Sequence, residues 1–171
     1  YDAYGNIAYT GFYKDNRTRE QIQGAAKAHG VLYEERGSTA PFFKYTNKAY
    51  PTNIQQQNVY TIHYYDDYDF DKAGLSIPSS VYGVSTTNHL RSLPTGKKER
   101  ILNTNSSTDY WITTITAYDD KARVLFTASK NSFLNATDTN SIKLDFMSKI
   151  LESNTYHNNG TPITIKDNFS Y

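Results

Sequence analysis

The chain has 171 residues, no cysteine, and 18 Lys and Arg against 17 Asp and Glu, with a mean hydropathy of −0.70. That excludes a disulfide framework and a thiolate zinc site. It also excludes a bilayer-spanning helix, since no run of about 18 apolar residues occurs, and it offers no electrostatic footprint for nucleic acid. Sixteen Tyr, eight Phe and one Trp argue against disorder, and aromatic and β-branched residues in place of Leu and Ala favour sheet.

In chain order, residues 6–13 read as a strand. Thr18-Arg19-Glu20-Gln21 fits a capping box, with Thr18 as N-cap and Gln21 reaching back. Ile22, Ala25, Ala26 and His29 then share one helical face, and Gly30 stands where a helix-ending glycine belongs. This predicts one short helix near residues 18–29. Residues 31–36 read as a strand and 37–51 as a loop of turn formers. Residues 58–65 are a strand by β-branched and aromatic content. Residues 66–96 read as a long loop insertion punctuated by Gly74, Pro78, Gly83, Pro94 and Gly96. Strands are then expected at 100–102, 110–118, 123–128, 141–146, 150–156 and 163–169, with 129–140 a polar loop. The predicted fold is mainly β: an antiparallel meander in a single segment, residues 1–171, with no domain boundary.

One motif opens the chain and returns twice in degraded form. It reads Tyr1-Asp2-Ala3-Tyr4-Gly5, then Tyr118-Asp119-Asp120-Lys121-Ala122, then Leu144-Asp145-Phe146-Met147-Ser148. The Asp suits an Asx-turn and the Gly a positive φ. Arg123 stands directly after the second copy and Lys149 directly after the third. Ala122 and Ser148 replace Gly, so those two turns are expected to be of another type. The plainer reading is three unrelated hairpins.

With this motif the chain resembles the YD-repeat, or RHS-repeat, family. Leu93-Pro94-Thr95-Gly96-Lys97-Lys98-Glu99-Arg100-Ile101-Leu102 carries the resemblance, as do residues 111–124, 45–51 and 64–70. These look like YD-repeat proteins of Bacteroidota-type bacteria. The resemblance implies a ribbon of antiparallel strands coiled into a hollow β-shell around a C-terminal toxin or effector. It implies secretion, by the type IX route, or display at the cell surface. The chain would then be an internal fragment of a polymorphic-toxin protein, cut at both ends and non-catalytic in itself. Its partners would be the rest of its own chain, the enclosed effector and the secretion machinery.

No catalytic signature stands against that reading. There is no Gly-x-Ser-x-Gly elbow, phosphate loop or HExxH. Glu34-Glu35 and Asp119-Asp120 are adjacent in sequence, so on a strand each pair points to opposite faces. No cofactor is expected. Asp66-Asp67-Tyr68-Asp69-Phe70-Asp71 has enough oxygens to suggest calcium, but it lacks EF-hand spacing and reads more simply as a solvated acidic turn. A different function, an adhesin or carbohydrate-binding module, would use Tyr64, Tyr65 and Tyr68, with Tyr60, as a ring platform. Against it stands ordinary stacking of those rings within the sheet.

Overall fold

The computed structural model describes residues 1–102 and 108–171 and is mainly β, with ten strands and one α-helix among those residues. It forms two compact units, Tyr1–His63 and Tyr64–Tyr171. The sequence shows no such boundary because the division falls inside a strand, where neither linker nor composition shift exists.

In the first unit, β1 (Tyr9–Gly11) pairs antiparallel with the first half of β2 (Val59–Asp66). A Cβ on Gly11 would lie 2.1 Å from the Asn58 carbonyl oxygen, so glycine permits the close approach. The helix α1 (Arg19–His29) starts as expected. The Gln21 N–H donates to Thr18 Oγ1 at 3.3 Å, and the Thr18 N–H donates to Gln21 Oε1 at 2.9 Å. Gly30, at φ 75°, ends the helix, which buries none of its residues. The core of this unit is Ala8, Phe42, Tyr45, Val59 and Ile62. Tyr9 meets Phe42 and Tyr45 edge-on, with centroids 5.3 and 6.2 Å apart.

Two expectations change here. The strand at 6–13 contracts to the three residues of β1. Residues 31–36 form no strand, only isolated bridges at Glu34 and Arg36. The Glu34 N–H bonds the Tyr1 carbonyl at 2.8 Å, and the Glu34 carboxylate turns inward to hold the 46–49 loop. β-forming residues make a strand only where a neighbouring edge lies alongside.

The second unit is the meander. β5 (Leu90–Ile101), β6 (Tyr110–Tyr118), β7 (Val124–Asn131), β8 (Ala136–Leu144), β9 (Ile150–Asn158) and β10 (Pro162–Asn168) pair antiparallel in sequence order. The expected polar loop at 129–140 is mostly strand, and only the turn between Asn131 and Ala136 remains. Its Asn and Asp residues are poor strand formers, but β7 and β8 each have a neighbour on both edges. Those ladders satisfy the backbone whatever the side chains are.

The insertion at 66–96 is also more ordered than its composition implies. It contains the hairpin β3 (Ser80–Val81) and β4 (Val84–Ser85), and β5 already begins at Leu90. Tyr82 and Gly83 join the hairpin with φ of 50° and 80°, the backbone of a type I′ turn. Pro94 fits within β5 and accepts the Tyr118 hydroxyl at its carbonyl, 2.7 Å away. The insertion lies on one face of the meander. Register places Ala117, Phe126, Ser141, Asn154 and Lys166 in one row across that face. Pro78, Val81 and Tyr82 line a cavity with four of them. On the opposite face register aligns Thr116, Thr127, Asn140, Thr155 and Ile165 in one row.

Phe70 anchors the start of the insertion. Its ring stacks on Tyr64 at 4.1 Å with 4° between planes, and it fills the space a side chain at Gly96 would need, 2.1 Å from the site of a Cβ. Gly96→Ala is therefore expected to lower stability by about 2 kcal/mol through overpacking. Urea unfolding measures it, and an unchanged midpoint would mean the Phe70 ring is not held there.

Candidate functional site: three aspartate turns

The motif's Asp2, Asp119 and Asp145 fall on three turns with one hydrogen-bond geometry, of which the second joins β6 to β7 and the third β8 to β9. At Asp2 the carboxylate Oδ1 accepts the N–H of Tyr4 at 2.9 Å and of Asn6 at 2.8 Å. At Asp119 it accepts from Lys121 and Arg123, both at 2.9 Å. At Asp145 it accepts from Met147 and Lys149, both at 2.8 Å. The backbone repeats as well. The N–H of Asp2, Asp119 and Asp145 donates to the carbonyl of Asn6, Arg123 and Lys149, and their carbonyls accept from Gly5, Ala122 and Ser148.

The third residue after each Asp has positive φ: 83° at Gly5, 58° at Ala122 and 68° at Ser148. The expectation that loss of glycine changes the turn type is thus overturned. Four hydrogen bonds per turn hold Ala122 and Ser148 in a left-handed conformation that costs an ordinary residue about 1–2 kcal/mol. The register slips by one residue at Tyr118 and Leu144, beside the second and third turns. That is the bulge such a hairpin requires.

Electrostatics distinguish the middle turn. Asp119 is 3% exposed, and its Oδ2 lies 2.7 Å from Arg123 Nε and 2.6 Å from Nη2. Burial alone raises this carboxyl. The Arg123 guanidinium and the N–H groups of Arg123 and Lys121 outweigh it and hold the carboxyl below its usual range. Asp120 is exposed, so the adjacent pair is split between interior and solvent. Arg123 also donates from Nη1 to the Asp145 carbonyl at 3.1 Å, joining one turn to the next. The motif carries no sign of this link. Lys149, at the equivalent place in the third turn, sits 4.8 Å from the Tyr171 ring. Tyr118 is buried, whereas Tyr1 is exposed.

The tyrosines of β2 do not gather into a platform. Tyr64 is 2% exposed and stacked on Phe70. Tyr65 is half-buried and Tyr60 is exposed. Tyr68 donates to the Thr116 carbonyl at 2.8 Å, and burial pushes its hydroxyl up to about 12. The acidic run is dispersed too. Asp66 caps the Ser92 N–H, Asp67 the Asp69 N–H and Asp71 the Ala73 N–H, and Asp71 also pairs with Lys98 at 2.6 Å. Among the described residues no three His, Asp or Glu converge as metal ligands, and no helix is long and apolar enough to cross a membrane. The one buried carboxylate the sequence did not distinguish is Glu34, 2% exposed, while its neighbour Glu35 faces solvent.

No family model matches the chain, and neither a curated protein nor a solved structure matches it.

Asp119→Ala removes two backbone bonds and both contacts to the Arg123 guanidinium, leaving Arg123 without its counter-charge, at an expected cost of about 3 kcal/mol. The open Asp145 turn has no such pair, and Asp145→Ala is expected to cost about 1 kcal/mol. Acid has the matching sign. A carboxyl held low in the folded state contributes stability above its unfolded value of about 4, and that stability is lost as pH falls through the lower folded value. Urea midpoints measured between pH 6 and 2 should therefore fall more steeply below about pH 4 in the parent chain than in Asp119→Asn. Equal slopes would contradict the assignment.

Proposed function

We propose that this chain is a structural, non-catalytic segment of a repeat shell of the YD or RHS type. The observation that carries the reading is the recurrence of one four-bond aspartate turn at three places, two of them at the same end of a meander and clasped by Arg123. A unit of strand, aspartate turn and strand is quasi-one-dimensional: each pair satisfies its ladder against the next and the sheet extends by addition. On this reading the protein is secreted or held at the cell surface. Its longer chain encloses or presents a C-terminal toxin or effector, and its partners are the remainder of that chain and the effector. The adhesin reading loses support because Tyr64 is interior and Tyr68 is tied to Thr116.

The outermost strand supports the same reading. β10 is exposed along its whole length and pairs on one edge only, with β9. Ile163 and Ile165 stand in the open on one face of it. Such an edge invites another strand. Two measurements test the proposal. Peptide mapping of the native source protein is expected to find a longer polypeptide with further aspartate turns after Tyr171. A mature chain bounded by Tyr1 and Tyr171 would overturn the reading. Expressed alone, residues 1–171 are expected to self-associate in light scattering, and Ile163→Lys with Ile165→Lys to reduce it. A monodisperse parent monomer would count against an extensible edge.

A further inference from the structure

The first unit contains a cavity that the repeat reading does not use. Its volume is about 300 Å3, and its walls include Tyr1, Tyr9, Phe12, Tyr13, Tyr50 and Glu34. Five aromatic rings around one carboxylate is an uneven mixture for a cavity of this size, since ring faces are negative and so is the acid.

Glu34 is the unusual member. Its Oε1 accepts the Tyr9 hydroxyl and the Ala49 N–H, both at 2.9 Å. Its Oε2 accepts the Thr46 hydroxyl at 2.6 Å and the Lys48 N–H at 3.0 Å. All four donors are neutral, and among the described residues no Lys, Arg or His forms an ion pair with it. Burial raises this carboxyl, but the four donors together outweigh burial and keep it ionised. Tyr9 and Ala49 both line the cavity, so Oε1 is the oxygen at its wall. The fold therefore places a full negative charge at the cavity without a compensating cation.

The rim is held as firmly as the floor. Arg17 and Asp15 form a forked pair, with Nε to Oδ1 at 3.0 Å and Nε to Oδ2 at 3.1 Å. Arg17 Nη2 also donates to the Tyr50 hydroxyl at 2.8 Å. This pair is neutral overall, so it fixes the Tyr50 ring without cancelling Glu34. The rings of Tyr9 and Tyr50 are each tied by their hydroxyls to a charged group at the cavity wall. Pre-positioned rings about a carboxylate suit an ammonium better than a neutral polyol, which would need directed donors and acceptors on the walls.

We propose that this cavity binds a small organic cation with an alkylammonium head, the head facing the tyrosine rings and neutralised by Glu34. The test uses the whole chain of residues 1–171 with three probes: choline, its uncharged carbon isostere 3,3-dimethylbutan-1-ol, and methyl β-glucopyranoside. Binding is read by titration calorimetry and by amide shifts of Ala49 and Tyr13. Choline is expected to saturate, with the isostere at least about tenfold weaker. Glu34→Gln keeps the shape and removes the charge, and should cost choline at least about tenfold while leaving the isostere unchanged. Should Glu34→Gln fail to fold, Tyr13→Ala, at a half-exposed ring, should weaken choline several-fold with the melting temperature unmoved. No saturable choline binding, equal binding of the isostere, or preference for the glycoside would each overturn the proposal.

Discussion

The fold of the larger unit depends on how an aspartate reverses the chain. One carboxylate oxygen takes the N–H groups two and four residues ahead, which would otherwise be unpaired in a tight hairpin. Once both are taken, the third residue must lie in the left-handed region and the register must slip by one. Glycine relieves the strain in the first turn, but it is not what defines the turn. Ala122 and Ser148 are carried into the same conformation because four bonds outweigh one unfavourable φ. The identity of the turn resides in the Asp.

Arg123 turns a local device into a connection between neighbours. It completes the Asp119 carboxylate and reaches the carbonyl of Asp145. A buried carboxylate needs its partner, and an arginine has donors left over once that pairing is made. The spare donors face the next turn, so consecutive hairpins are aligned through the charge that stabilises the first. The third turn has Lys149 in place of the arginine and is correspondingly open, with Phe146 and Met147 at its tip in solvent.

The first unit is organised around a different carboxylate. Glu34 gathers the 46–49 loop by two backbone N–H groups and the Thr46 hydroxyl, and it fixes the Tyr9 ring beside Phe42 and Tyr45. Its four neutral donors let an anion exist inside a fold with few apolar side chains. The same arrangement leaves the charge unneutralised at the wall of an aromatic cavity. Structural need and binding capacity thus meet at one residue.

Much was legible in the chain itself. The capping box at Thr18 and Gln21, the terminating Gly30, the strands at 58–65 and 110–118 and the places of the aspartate turns, though not the one type all three share, come from local chemistry: side chains bonding backbone within a few residues, and alternation along a strand. Local rules failed where the outcome depended on distant partners. Residues 31–36 have the composition of a strand but gain only isolated bridges, while the polar stretches 129–131 and 136–140 become strand between two neighbours. The insertion read as loop because Pro94 and Gly96 punctuate it. Gly96 is there to admit the Phe70 ring, a contact made across 26 residues of chain. Glu34 and Glu35 look alike in sequence, and only the fold makes one an interior anion and the other a surface group. Local sequence settles where the aspartate turns lie, because an Asx hydrogen bond closes within five residues. Which strands exist and which acids are buried is settled by the folded chain as a whole, because ladder partners and desolvation come from segments far apart in sequence.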